Sequence, residues 1–243
     1  MRLICVLCVM FNYLVAKSNA ANINKACQYN SNNVHTTNGP AWFQTYWEPC
    51  VDCCKQRRIG RIGDGGKWVC VDFNMTETYA VSIGSNNDFS FETEMVQQLK
   101  LKRVYVFDHT SNPPVMPLSE IEFHKTMMTE PILFQKLGLL RTHGKRVSVL
   151  KIDCEGCEAD LFSTRVLKEL NLAQTQVLVE LHWQMLPRKA ISRMWYRLAT
   201  HGIFPFHKEP NIQFSDGSCI EYAFMPPILD GFEHLGLTDS LTL

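Results

Sequence analysis

The stretch Tyr79 to Glu92, Y-A-V-S-I-G-S-N-N-D-F-S-F-E, limits what this chain can fold into more than any other. Tyr79 to Ile83 is a short apolar run of the kind that makes a buried strand. Gly84 and the polar cluster Ser85-Asn86-Asn87-Asp88 break it, and a helix rich in Glu, Met, Gln and Leu is expected from Phe91 to about Leu101. A strand, a Gly-led turn and a helix start form the first half of a βαβ unit, whose turn brings backbone N–H groups up to a ligand. One glycine stands where a full G-x-G-x-x-G has three. Alone, the turn is therefore either an ordinary βα connection or a nucleotide site.

Downstream, strand and helix alternate. Arg103 to Phe107 is a second strand, ending at Asp108, 24 residues beyond Gly84. An acid at that place in a nucleotide-binding sheet hydrogen-bonds ribose hydroxyls. Ser111 to Pro117 is a Pro-rich loop, Ile121 to Lys125 a short strand and Ile132 to Leu140 a helix. Val147 to Ile152 is the strongest strand, running into Asp153-Cys154-Glu155-Gly156-Cys157-Glu158, with a helix from Ala159 to about Leu170. Val177 to Leu181 is a further strand, leading through Glu180 to His182, and Ile191 to Thr200 has helical spacing. Ile203 to Phe206 and Cys219 to Phe224 are joined by a short connection and should pair antiparallel. The fold class is α/β. Upstream, Lys55-Gln56-Arg57-Arg58 reads as a helix end. Ile59 to Trp68, with four glycines, reads as a loop: either a surface turn or a flap laying backbone and Lys67 against a ligand.

With 243 residues the chain suits one large domain, and its 24 basic and 24 acidic residues create no overall field for nucleic acid. Arg2, the apolar run Leu3 to Ala16 and the small residues of Ser18-Asn19-Ala20 have the pattern of a signal peptide spanning residues 1–20. The apolar run is short of the roughly 20 residues a membrane span needs. No stable span is expected after cleavage; a signal-anchored type II membrane protein is the alternative. Residues 21–41 are an Asn-rich, disordered lead-in, and residues 42–243 form the domain. Eight cysteines remain after residue 20, an even number that suggests disulfides in a secreted or ER/Golgi-lumenal protein. Asn74-Met75-Thr76 is a glycosylation sequon consistent with that compartment.

In an open α/β sheet, ligands sit outside the carboxyl ends of the strands. That rule gathers Gly84 to Asp88, Asp108, Asp153 to Glu158 and Glu180 to His182 on one rim. Asp153 and Glu155 together are favoured as functional groups, Glu158 as a plain helix cap, and His182 as either a base or a rim histidine. Cys154-Glu155-Gly156-Cys157 is a C-x-x-C at a strand-to-helix junction, locally like a thioredoxin-type redox site. Zinc shared with Cys50 and Cys53 is another option, but structural cysteines or disulfides are favoured.

These residues resemble a family. Ser82 to Glu92, Gly63 to Cys70 (G-D-G-G-K-W-V-C) and Leu150 to Glu158 (L-K-I-D-C-E-G-C-E) are similar to the methyltransferase-domain proteins grouped with methyltransferase-like protein twenty-four. Those are relatives of the FkbM-type methyltransferases. Glu180 to His182, His207 to Ile212 and Glu221 to Phe224 continue the likeness. It implies a class I, Rossmann-like methyltransferase fold, a seven-stranded sheet with its last strand antiparallel and helices on both faces. S-adenosylmethionine would lie at the first-strand turn. Gly84, Ser85, Asn86 and Asp88 would border its methionine part and Asp108 its ribose, with the Asp64–Trp68 loop, including Gly65 and Lys67, closing over it. Asp153, Glu155, Glu180 and His182 would face a small-molecule or glycan acceptor, as catalytic groups. A divalent metal could assist there, though no motif calls for one. O-methylation of a sugar or small hydroxylated acceptor is the expected activity. The alternatives are a non-catalytic secreted binding domain on the same fold and a thiol oxidoreductase using Cys154 and Cys157.

Overall fold

A computed structural model describes residues 48–170, 174–211, 213 and 219–227. The expected signal peptide and lead-in, and the aromatic start of the domain up to Trp47, lie outside those residues. The described chain opens with a small antiparallel hairpin, β1 (Gln56–Ile59) and β2 (Lys67–Cys70). A seven-stranded sheet follows, made of β3 (Tyr79–Ile83), β4 (Arg103–Phe107), β5 (Ile121–His124), β6 (Val147–Ile152), β7 (Gln176–His182), β8 (Phe204–Pro210) and β9 (Cys219–Met225). Its spatial order is β5-β4-β3-β6-β7-β9-β8. The first five of these strands are parallel, and β9 runs antiparallel to both β7 and β8. This is the sheet the family resemblance implied, the last strand reversed.

Its connecting helices are α1 (Ser90–Leu99), α2 (Glu130–Thr142), the short α3 (Glu158–Leu161) and α4 (Thr164–Glu169), and α5 (Arg188–Thr200). Every residue of β6, β7 and β9 is buried, which is why these strands read as nearly continuous apolar runs. Alternate side chains split the core in two. Val81, Ile83, Leu150, Ile152 and Val179 face α2 to α5; Ala80, Val104, Val106 and Leu178 face α1 and the hairpin. None of the described helices is long and apolar enough to cross a membrane.

Two readings need correction. Lys55 to Arg58, taken as a helix end, belongs mostly to β1: Gln56 to Ile59 pair with Cys70 to Lys67. The single helix expected from Ala159 to Leu170 is two, because Phe162 leaves helical geometry and Ser163 starts a new helix with its Oγ accepting from Val166 N. Two disulfides lie within the described residues, Cys53–Cys70 closing the hairpin and Cys154–Cys157 closing the turn after β6. That second bond removes the zinc option for Cys154 and Cys157.

Candidate active site

β3 lies between β4 and β6, so the chain leaves the sheet in opposite directions on its two sides. The crevice this opens at the carboxyl ends of the strands is where ligands bind in such sheets. A cavity of about 510 Å³ occupies it, within the range of roughly 300–1,000 Å³ typical of small-ligand pockets.

One wall is the turn after β3. Gly84 has φ +82°, and a Cβ there would come within 1.6 Å of the Asp153 carbonyl oxygen, so the β3 and β6 ends can meet only at a glycine. Asn86 and Asn87 follow with φ +47° and +60°, a left-handed pair that asparagine tolerates better than most residues. Asp108 holds the turn. Its Oδ2 accepts from Ser85 N (2.7 Å), Ser85 Oγ (3.1 Å), Asn86 N (3.1 Å) and Ser111 Oγ (2.7 Å). Its Oδ1 accepts from Thr110 N (2.8 Å), Thr110 Oγ1 (2.7 Å) and Ser111 N (3.0 Å). Burial alone would raise this carboxyl's pKa, but so many donors hold it well below the usual range. The acid lines the cavity with both oxygens engaged by the two loops. Asp88 turns Oδ1 to Ser90 N (2.9 Å) at the start of α1.

The opposite wall carries the acids after β6 and β7. Asp153, Glu155, Glu180 and His182 all line the cavity, with Asp64 and Gly65 of the hairpin loop at its edge. Lys67 does not line it, and this corrects the expectation that it would lie against a ligand. It is only 2% exposed, and its Nζ sits 2.7 Å from Glu180 Oε2, 2.9 Å from Glu221 Oε1 and 3.2 Å from Asp153 Oδ2. Burial would lower the ammonium's pKa, yet the charges of Asp153, Glu221 and Glu180 raise it well above the ordinary value. For Asp153, burial is outweighed by Lys67 and Lys151, and its pKa falls to about 2. Burial wins at Glu221, pushed up to about 7, and at Glu180, raised further by Asp153.

His182 is the chemically distinctive group. Its Nδ1 lies 2.6 Å from Glu158 Oε1 and its Nε2 3.4 Å from Glu155 Oε2. Glu158 is completely buried and also accepts from Gly156 N at 3.0 Å. Burial would favour neutral imidazole, but the Glu158 hydrogen bond and charge, then Asp153 and Glu155, push its pKa up to about 9. Glu158 is the residue the sequence reading missed: it begins α3, as a cap would, while its carboxylate serves the histidine.

Glu180, His182 and Cys219 bring ligand-type atoms within 4.8 Å of one another. They do not fit a divalent cation: Glu180 is taken by Lys67 and Asn211 (2.9 Å), and His182 Nδ1 by Glu158. The ammonium already does a cation's work.

A methyltransferase-domain family model matches residues 12–226 of this chain. No curated protein matches it. Among solved structures, the Methanococcus jannaschii fibrillarin pre-rRNA processing protein is 10% identical, covering 72% of this chain and 84% of its own, with a TM-score of 0.45. An rRNA methylase from Streptococcus thermophilus is 8% identical over 64% of this chain and 90% of its own, TM-score 0.41. The N-methyltransferase NodS from Bradyrhizobium japonicum WM9 is 13% identical over 63% and 88%, TM-score 0.36. Likenesses this distant assign no residue a role.

Proposed function

This chain belongs to the methyltransferase-domain family, and from that premise we propose that it methylates an oxygen of a sugar or other small hydroxylated acceptor, using S-adenosylmethionine, in the secretory pathway. When bound, that cofactor supplies an electrophilic methyl group on a positively charged sulfonium. The cavity suits it in volume and charge: carboxylates of Asp64, Asp88, Asp153 and Glu155 outnumber the cationic side chains of Arg61, Lys151 and charged His182 on its lining. Ile83, Phe107, Met127 and Met128 add apolar surface for a flat ring. Gly84, Ser85 and Asn86 would hold the cofactor, with Asp108 acting through them by fixing the turn. Asp64 and Gly65 would cover it.

The observation that carries the reading is His182 backed by buried Glu158 at the cavity wall. Glu158 requires a proton on Nδ1, which leaves Nε2 as the nitrogen that can accept one from a hydroxyl. A strongly basic imidazole is a stronger proton acceptor but is mostly charged near neutrality. Asp153 and Glu155 would orient the acceptor and stabilise the imidazolium that forms, with Glu180 holding Lys67 beside Asp153. Much of the rate then comes from holding the two reactants aligned. The two disulfides support an oxidising compartment.

Calorimetric titration of the oxidised protein with S-adenosylmethionine tests this directly. Micromolar binding is expected, weakened about tenfold or more in Asp108→Asn, whose amide cannot accept all the loop's donors. No binding by the folded wild type would overturn the reading.

A further inference from the structure

Cys154 and Cys157 form a disulfide, and both line the cavity beside His182. The ring they close is small and its backbone unusual: Glu155 has φ +55° and Gly156 φ +108°. At Gly156 a Cβ would meet the Met185 side chain at 3.2 Å, so the ring is pressed close to the segment after β7. Two acids tied to this ring reach the histidine, Glu155 within it and Glu158 just after it. Glu155 extends directly towards Nε2 at 3.4 Å. Gly156 N instead donates to Glu158, whose carboxylate holds Nδ1 at 2.6 Å. The Glu155 side chain is 68% exposed, so its place beside the imidazole depends on its backbone. A non-glycine residue at positive φ needs something to hold it there.

We propose that the Cys154–Cys157 disulfide is the positioning element of the His182 centre, and that a thiol entering from the cavity can release it. Intact, the ring keeps an acid at each ring nitrogen. A dithiol would open it by giving up two electrons and two protons: the sulfur–sulfur bond breaks, two thiols form, and the dithiol closes to its own disulfide. Glu155 then leaves Nε2, and Gly156 N no longer fixes Glu158. The catalytic consequence rests on His182 being the proton acceptor; the geometric coupling does not.

The groups facing His182 are Glu158 from α3, Asp153 and Glu155 from the turn, Cys219 opposite it on β9, and Glu180 two residues back on its own strand, with Lys67 and Lys151 offsetting Asp153. Only the positions of Glu155 and Glu158 depend on the ring.

The test follows the His182 imidazole signal by NMR in the full oxidised chain, identified by its loss in His182→Gln, from about pH 5 to about pH 10. In Cys154→Ala/Cys157→Ala its titration midpoint should fall by about one pH unit or more. Should that variant fail to fold, wild type reduced with dithiothreitol and then capped with iodoacetamide, until mass spectrometry finds Cys154 and Cys157 alkylated and Cys53–Cys70 still bonded, gives the same comparison. A midpoint unchanged to within about 0.2 units on opening the ring would overturn the proposal. Failure of S-adenosylmethionine to bind wild type would strike the methyltransferase reading and leave this coupling standing.

Discussion

Lys67 is a single cation serving three carboxylates that come from three different strand ends, 86 to 154 positions further along the chain. No local pattern announces such a residue, because its partners meet it only after the sheet is built. G-D-G-G-K-W looks like a flexible flap, and its glycines do bend the loop, but the lysine points inward. Replacing it with methionine would leave Asp153, Glu180 and Glu221 buried around a missing charge. Such losses cost about 3–5 kcal/mol, so Lys67→Met should unfold at markedly lower urea concentration. Part of that stability should return at lower pH, as the orphaned acids become neutral; equal destabilisation at pH 5 and pH 8 would contradict the assignment. Gly84 is the opposite case. Its need for glycine was legible from a strand running into a polar turn, and the near-collision with Asp153 supplies the reason. Glu158 stayed hidden because an acid at a helix start is ordinary, and only the fold shows which way it turns.

Strands were the most readable elements. β3, β4, β6, β7 and β9 were each visible as short apolar runs because their burial on both faces leaves little room for polar residues. β1 was misread because K-Q-R-R favours a helix locally. The strand forms because Ile59 is wholly buried, and Arg58 is held by Glu209 and the carbonyls of Gly63 and Gly66. The break between α3 and α4 was missed since Ala159 to Leu170 keeps helical spacing across it. What ends the first helix is a serine used as a cap. Ser163→Ala should therefore cost about 1 kcal/mol in equilibrium unfolding, and a cost near zero would mean that the Val166 N bond contributes nothing.

For the whole molecule, proton binding sets how stability varies. The Asp153 contribution is fully present above its ordinary pKa of 3.8 and is lost as pH falls through about 2. Glu221 works the other way: its share is full below 4.5 and disappears as pH rises through about 7. That of His182 is full below 6.5 and is lost through about 9. Raised values at Glu92 and Glu180 add to the same slope. The melting temperature should thus drop on the order of 5 °C or more between about pH 6 and about pH 9.5. Glu221→Gln should flatten the neutral part of that fall; a profile level across the range would refute it. The proton abstraction proposed for His182 would need the higher pH, so stability and that chemistry would pull in opposite directions.

The sheet places β9, the last of the described strands, between β7 and β8, with Glu221 on it closing the cage around Lys67 of the β1–β2 hairpin. On a ribosome the chain emerges from its N-terminal end, so Lys67 leaves the tunnel long before its partner exists. Until then the cage around the lysine lacks one of its three carboxylates. The charge cage behind the cavity wall thus closes only when a late strand comes back to a hairpin made long before it.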